Sequence, residues 1–352
     1  MKRLVWIGHY IEEPDRFLFN DIKLRSSILK KIFINVNKHM PPYICARFNS
    51  EKRGIEFYGM ICPLMPSELA SSGKSRQADI IKDAIQLANK LKATQIGLAA
   101  LFASIWESGD EVKKLTDVPV TTGKNLIAAL TIDYVSRGVD LLGKNIKSLN
   151  VGIVGYKNRI SKIFLKQYSP IAKEILVDSA DEFMGSVKNA RKASYEDIFR
   201  QSDVIIVTNM GVGLAEYIGI MKPGAMVCDI VVPYYLAKEI RKKRADIFAF
   251  EGVWSMYKYF DEFTGNNFKR LFPNNIAPAC IAELIILAQE NKQSCFSLGD
   301  NISYENTAMM KSFITRNGFD FFGFKQGLKI YSNDDIENIR SGMGQRDEVH
   351  AV

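Results

Sequence analysis

Val151-Gly-Ile-Val-Gly155-Tyr-Lys-Asn158-Arg-Ile-Ser161 is a short apolar run that stops at a glycine and passes into a helical segment. That is how the first strand–turn–helix of a nucleotide-type α/β unit begins. Outward from it, apolar runs recur between helical segments at Ile175–Asp178, Asp203–Val207, Met226–Ile230 and Ile247–Phe250. Such alternation predicts an α/β protein with a Rossmann-like, doubly wound parallel sheet, over residues 144–275. Residues 1–143 also read as mixed α/β and are expected to form a second, substrate domain. Their strand-like runs are Leu4–Ile7, Ile44–Phe48, Ile55–Ile61 and Gln95–Leu101, and Ile80, Ile81, Ala84, Ile85, Ala88 and Leu91 fall at helical spacing. Residues 276–352 are expected to be a C-terminal helical segment carrying Cys280, with a polar tail that frays after Tyr331.

A dinucleotide site needs a tight turn after its first strand, close backbone approach and a small residue where helix meets sheet. Gly155 can make the turn. The glycine-rich fingerprint is otherwise degraded, with Asn158, which tolerates positive φ, and Ser161, which is small, in the later positions. Asp178 closes the second strand at the spacing of a ribose-binding carboxylate, which favours NADH over NADPH. Lys157 and Arg159 are candidate phosphate contacts or simply solvent-facing charges. Thr208 and Asn209, after the third strand and ahead of Met210-Gly211-Val212-Gly213, lie at the edge where cofactor rings bind, or form a plain turn.

The 352 residues are 47% hydrophobic and 24% charged, which suits a globular chain with a sizeable core and excludes a disordered or fibrous one. No apolar run is long enough to span a bilayer and no leader-like segment opens the sequence, so a cytoplasmic protein without an integral membrane segment is expected. The five cysteines are scattered and odd in number, as for reduced thiols, and His9, His39 and His350 are too few to suggest a metal site. The net charge of +8 is concentrated in runs such as Arg241-Lys242-Lys243-Arg244, which would attract an acidic protein or anionic cofactor; the plainer reading is a solvated helix face. No nucleic-acid-binding motif accompanies it.

Cys280 stands in Ile276-Ala-Pro-Ala-Cys280-Ile-Ala-Glu283, where Pro278 and the Asn274–Asn275 pair read as the opening of an apolar helix. A thiol in the first helical turn faces the positive end of the dipole and free N–H groups, which favours the nucleophilic thiolate. Inert packing is the ordinary role of such a cysteine. Glu283 shares its helix face and is a candidate catalytic carboxylate that positions water or a donor, or simply a helix-surface or N-terminal charge. His9 is a candidate proton donor or a hydrogen-bonded structural residue. Thr122 and Gly123 are candidate cofactor contacts or caps of the following helix.

Trp6-Ile-Gly-His9, Met60-Ile-Cys-Pro-Leu-Met-Pro66, Val120-Thr-Thr-Gly123, Val151–Gly155, Pro278-Ala-Cys280-Ile-Ala-Glu283, Phe296-Ser and Asn317-Gly-Phe319 come in an order that resembles the aldehyde-forming long-chain acyl-carrier-protein reductases of the cyanobacterial type. The resemblance implies that Cys280 takes a fatty acyl group from an acyl carrier protein thioester, or from acyl-CoA, and that NADPH reduces the enzyme thioester to a fatty aldehyde. It also implies an oxyanion site, for which the amides of the Cys280 helix or the hydroxyls of Thr121 and Thr122 are candidates. An aldehyde-consuming enzyme would be a natural further partner. Two other functions fit the sequence: an NAD(P)-dependent dehydrogenase of a small amino or hydroxy acid, and a non-catalytic protein that binds acyl chains or their carrier.

Overall fold

The computed structural model describes the chain except residues 12, 19, 21, 24, 25, 100, 101, 103–108, 210–212, 268–272 and 348–352. It resolves into two compact units, one made of residues 1–126, 255–302 and 312–320, the other of 127–254, 303–311 and 321–352. The boundaries thus fall elsewhere than after residues 143 and 275.

The first unit holds a mixed six-stranded sheet. In chain order its elements are β1 (Lys2–His9), α1 (Glu13–Leu18), α2 (Ser27–Asn37), β2 (Tyr43–Ser50), β3 (Ile55–Cys62), α3 (Pro66–Ser71), α4 (Lys74–Lys90), β4 (Gln95–Leu98), β5 (Val120–Thr121) and the start of α5 (Lys124–Leu141). The strands run β2-β3-β1-β4-β5, with Thr264–Asn266 added beside β2. The β2–β3 pair is antiparallel and the others from β3 to β5 are parallel. Side chains alternate across a strand. Val5, Ile7, Ile96 and Leu98 therefore share one core with Ile81, Ala84, Ile85 and Ala88 of α4, and Trp6 and Gly97 face the other way.

The second unit holds the parallel sheet: β6 (Asn150–Val154), α6 (Arg159–Tyr168), β7 (Glu174–Val177), β8 (Ala190–Lys192), β9 (Val204–Val207), β10 (Met226–Asp229), α7 (Tyr235–Lys243) and β11 (Phe248–Glu251). The spatial order β11-β10-β9-β6-β7-β8 is parallel throughout. The chain winds outward from β6 in both directions, so the order reverses between β6 and β9, as in a Rossmann-like doubly wound sheet. Ile160, Ile163 and Phe164 of α6 are buried.

Cys280 is carried by α8 (Ala279–Gln289), where residues 279 and 281–288 are all buried. An 11-residue helix that is apolar on every side has no solvent face and must be a core element. It belongs to the first unit, with Leu284 packed on Gly97 so closely that an added Cβ there would meet it at 3.0 Å. Two details differ from expectation. Asn274 and Asn275 take left-handed φ of 54° and 63°, and the short strand Ile276–Pro278 follows, so the helix starts only at Ala279 with Pro278 as its cap. The polar tail does not fray at Tyr331: Asn333–Asp347 is a helix. Reciprocal Ser332–Asp335 hydrogen bonds open it, and Ile336 and Ile339 are buried. Among the described residues no helix is long and apolar enough to cross a membrane.

Candidate active site

In the first unit, one carboxylate gathers segments far apart in sequence. Glu283, fully buried on α8, accepts hydrogen bonds from the Thr121 hydroxyl, from the amides of Gly123 (3.2 Å) and Leu126 (3.0 Å), and from the Ser297 hydroxyl (2.9 Å). Burial raises its pKa and these donors pull it back only in part. Ser297 Oγ also accepts from the Asn125 amide at 3.0 Å, and the Thr122 hydroxyl donates to the Ser297 carbonyl. The Thr121-Thr122-Gly123 turn, the start of α5, the Phe296–Ser297 segment and α8 are thereby tied together.

Gly123 is where the turn reaches the cysteine. Its φ is 77°, and a Cβ there would lie 2.5 Å from the Cys280 Cα, so only glycine allows the approach. Cys280 itself is partly exposed. On the sheet side, the Trp6 indole Nε1–H donates to its sulfur at 3.3 Å. The far edge of the indole reaches over Gly8, where a Cβ would meet its six-membered ring at 2.2 Å.

Three expectations change. The helix N-terminus does not by itself yield a resting thiolate: burial pushes the Cys280 thiol up to about 11, against the downward pull of Trp6 and the Ile281 amide. Glu283 holds the turn that touches Cys280, and its charge adds to the upward push on the thiol rather than activating it. The hydroxyls of Thr121 and Thr122 already donate to Glu283 and Ser297, and a hydroxyl has one proton, so the amides of α8 remain as the oxyanion donors on offer.

His9 ends β1, buried, with Nδ1 2.7 Å from the Tyr10 carbonyl and its ring edge-on to Phe102 at 5.6 Å. The carbonyl fixes the proton on Nδ1, leaving Nε2 an acceptor without a hydrogen-bond partner among the described residues. Burial lowers its pKa. It is therefore a neutral imidazole that can accept a proton at Nε2, not one that stands ready to donate from there.

In the second unit, Gly155 takes φ of 91° after β6, and a Cβ there would meet Asn209 at 2.5 Å and Thr208 Oγ1 at 2.7 Å. Asp178 accepts from the amides of Gly155 (3.0 Å) and Tyr156 (2.8 Å), so the carboxylate expected at the ribose also shapes the turn. Ser161 Oγ and Thr208 Oγ1 are 2.7 Å apart and both lie within hydrogen-bond reach of the Gly155 carbonyl, while Asn158 donates to the Thr208 carbonyl at 2.9 Å. Lys157, Arg159 and Asn209 are exposed. The rest of the predicted segment, Met210-Gly211-Val212, lies outside the described residues. A left-handed glycine at the strand end, a small residue at the helix–strand junction and exposed cations at the opening of α6 fit the pyrophosphate of a nicotinamide dinucleotide.

No family model matches the chain. A curated relative, Aminotransferase PigE of Serratia sp. (strain ATCC 39006), is 20% identical over 331 residues, which is 90% of this chain and 38% of that protein. The chain thus spans well under half of that relative. Among solved structures, L-tryptophan dehydrogenase from Nostoc punctiforme matches with a TM-score of 0.39 at 11% identity, covering 99% of this chain and 89% of that one. D-2-hydroxyisocaproate dehydrogenase matches with a TM-score of 0.32 at 12% identity over 68% and 74%. These likenesses do not reach the substrate. The sheet order above is what establishes the Rossmann-like fold.

Sequence reading missed Trp6 as a partner of Cys280 and gave no role to Ser297 or Asn125. It also missed Asp229 and Glu251, buried register partners at the ends of β10 and β11. Glu251 accepts from Trp254 Nε1 (2.6 Å), Lys325 Nζ (3.0 Å) and the Gly327 amide (2.6 Å). The partners of Trp6 and Glu251 lie far along the chain, and nothing local announces them.

Proposed function

We propose that the protein is an NAD(P)H-dependent oxidoreductase that reduces a long-chain acyl thioester to the aldehyde, with Cys280 as the covalent acyl carrier. The observation that carries this reading is the convergence on Glu283 and Cys280 of the Thr-Thr-Gly, Ala-Cys-x-Ala-Glu and Phe-Ser segments, the motifs on which the resemblance rests. In the first half-reaction the Cys280 sulfur attacks the thioester carbonyl and the carrier leaves as its thiol, conserving the acyl bond as an enzyme thioester. Trp6 holds the sulfur from one side, Gly123 lets the turn close on it, and amides at the start of α8 face the oxyanion. The turn at Gly155, with Lys157, Asn158, Arg159 and Ser161, would hold the cofactor phosphates, and a bound nicotinamide supplies the hydride. Hydride addition to the carbonyl carbon would give the alkoxide of a hemithioacetal on Cys280. Collapse of that alkoxide as the C–S bond breaks frees the aldehyde and leaves the Cys280 thiolate, which takes up a proton to return to the thiol. His9 Nε2 is an acceptor in the same unit.

A second reading, a dehydrogenase of a small amino or hydroxy acid, is favoured by the doubly wound sheet, by the raised Cys280 thiol and by the activities named for the solved structures. Intact-protein mass spectrometry after mixing with palmitoyl carrier protein, without reductant, separates the two. The first reading expects one palmitoyl adduct on the parent and none on Cys280→Ala. An unmodified parent would end it in favour of the second.

A further inference from the structure

The face of α2 has no place in the chemistry above. Its sequence, Ser-Ile-Leu-Lys-Lys-Ile-Phe-Ile-Asn-Val-Asn, sets Ile28, Ile32 and Val36 at i, i+4 and i+8, with Leu29 beside them, so one aliphatic stripe runs the length of the helix. That stripe faces solvent: Ile28 is 68% exposed, Leu29 51%, Ile32 54% and Val36 58%. Single exposed aliphatics are ordinary, but four in a contiguous stripe mark a binding surface.

The inner side of the helix is fastened. The Phe33 ring lies 5.5 Å from Phe17 of α1, and Asn37 accepts from the buried Arg16 at 3.2 Å. Arg16 also pairs with Glu68 of α3. The stripe is thus held outward by a built scaffold. On the opposite face of the helix, Lys30 and Ile34 line a groove of about 460 Å³ with Pro14, Phe17, Ile22 and Lys23. Among the described residues its one carboxylate is Glu13, which is turned toward Arg16 at 3.8 Å.

Charge and residue type select the occupant. The helix contains Lys30 and Lys31, both exposed, and no acidic residue; Lys23 and Lys38 flank it. Lys31 borders the stripe, and a second copy packed on the same face would bring only further positive charge to that rim. Interfaces with proteins concentrate Tyr, Trp and Arg and are depleted in Lys, whereas this stripe is Ile, Leu and Val with lysine alone. Aliphatic side chains that insert, beside flexible ammonium groups that reach out to phosphates, are the chemistry of an interfacial helix.

We propose that α2 docks the protein onto an anionic lipid surface, with Ile28, Leu29, Ile32 and Val36 among the acyl chains and Lys31, which borders the stripe, at the headgroup phosphates. This inference does not depend on the acyl-thioester reading. It is tested by co-sedimentation of the full chain with vesicles of phosphatidylcholine alone and of phosphatidylcholine mixed with phosphatidylglycerol, at low ionic strength. The parent is expected to bind the anionic vesicles about tenfold or more tightly than the neutral ones. Ile28→Asp/Ile32→Asp should stay in the supernatant, and Lys31→Glu should lose the preference for anionic lipid. These positions are exposed, so both variants should melt as the parent does. Equal binding by parent and variants overturns the proposal. So does binding of an acidic apo carrier protein to this face without vesicle binding, or a parent that dimerises through it in sedimentation equilibrium.

Discussion

At the scale of single residues, the sulfur of Cys280 sits between opposing influences, and the Trp6 donor is the one a single substitution can remove. A hydrogen bond to an ionised group is worth about 1.5–3 kcal/mol, and one pKa unit corresponds to about 1.4 kcal/mol. Losing the indole N–H should therefore raise the thiol pKa by roughly one unit and slow alkylation at a fixed pH below it by about tenfold. Trp6→Phe deletes the donor and also withdraws the far edge of the ring system from Gly8, so a parent-like melting temperature is the control that goes with it. Iodoacetamide kinetics across the alkaline range read the shift directly, and an unchanged profile would show that the 3.3 Å contact does not act on the thiolate. Glu283 is a different case because four donors converge on it. Glu283→Gln replaces one acceptor oxygen by an NH₂ group that faces donors, and each unmatched buried group costs about 1–3 kcal/mol. A fall in melting temperature with Cys280 still alkylatable is the expected result. Loss of alkylation without loss of stability would mean that the carboxylate acts on the sulfur itself.

At the scale of elements, the strands with alternating or continuous apolar runs were legible in the sequence, because burial leaves a period that a reader can count. Strand β8 was not, since Arg191 and Lys192 are exposed and no apolar pattern marks this sheet edge. Helix α8 shows the same limit from the other side: its apolar residues announced a helix, but a helix buried on every face says nothing of which sheet it joins, and so it was set apart as a C-terminal segment. In the candidate site, Gly123, Cys280 and Glu283 were legible by residue type, yet their convergence depends on pairings more than 150 residues apart. The turn between β6 and α6 was the most readable piece, and it makes its own prediction. Gly155→Ala forces a Cβ to within 2.5 Å of Asn209 at a φ of 91°. Strain of this kind costs about 1–3 kcal/mol, and the turn must open to relieve it. NADPH and NADH titrations followed by tryptophan fluorescence should show binding weakened in the variant, with the fold retained by circular dichroism. Parent-like affinity would remove this turn from the cofactor site.

At the scale of the whole molecule, stability should carry the mark of buried carboxylates when pH is varied. Asp229, buried at the end of β10, accepts from the amides of Val231 (3.0 Å) and Ala237 (3.1 Å), but burial outweighs them and its pKa is raised to about 7. An unfolded Asp ionises near 4. Between these values the native state holds a proton that the unfolded state has lost, so the contribution is complete below about pH 4 and disappears as pH climbs toward 7. Glu283 acts in the same direction. His9 opposes them, because its lowered pKa keeps the native ring neutral while the unfolded ring takes up a proton below about 6.5. Its contribution is present above that pH and is lost as pH falls. The parent's melting curve is therefore a sum of opposite slopes, and the informative quantity is a difference. Asp229→Asn cannot titrate, and it sets an NH₂ group against one of two amides, so it should melt below the parent at pH 5. The gap should narrow toward pH 8, where the parent must bury a charge. A gap that stays constant from pH 5 to pH 8 would mean that Asp229 is already ionised in the native protein across that range, stabilised by the two amides more strongly than burial opposes it.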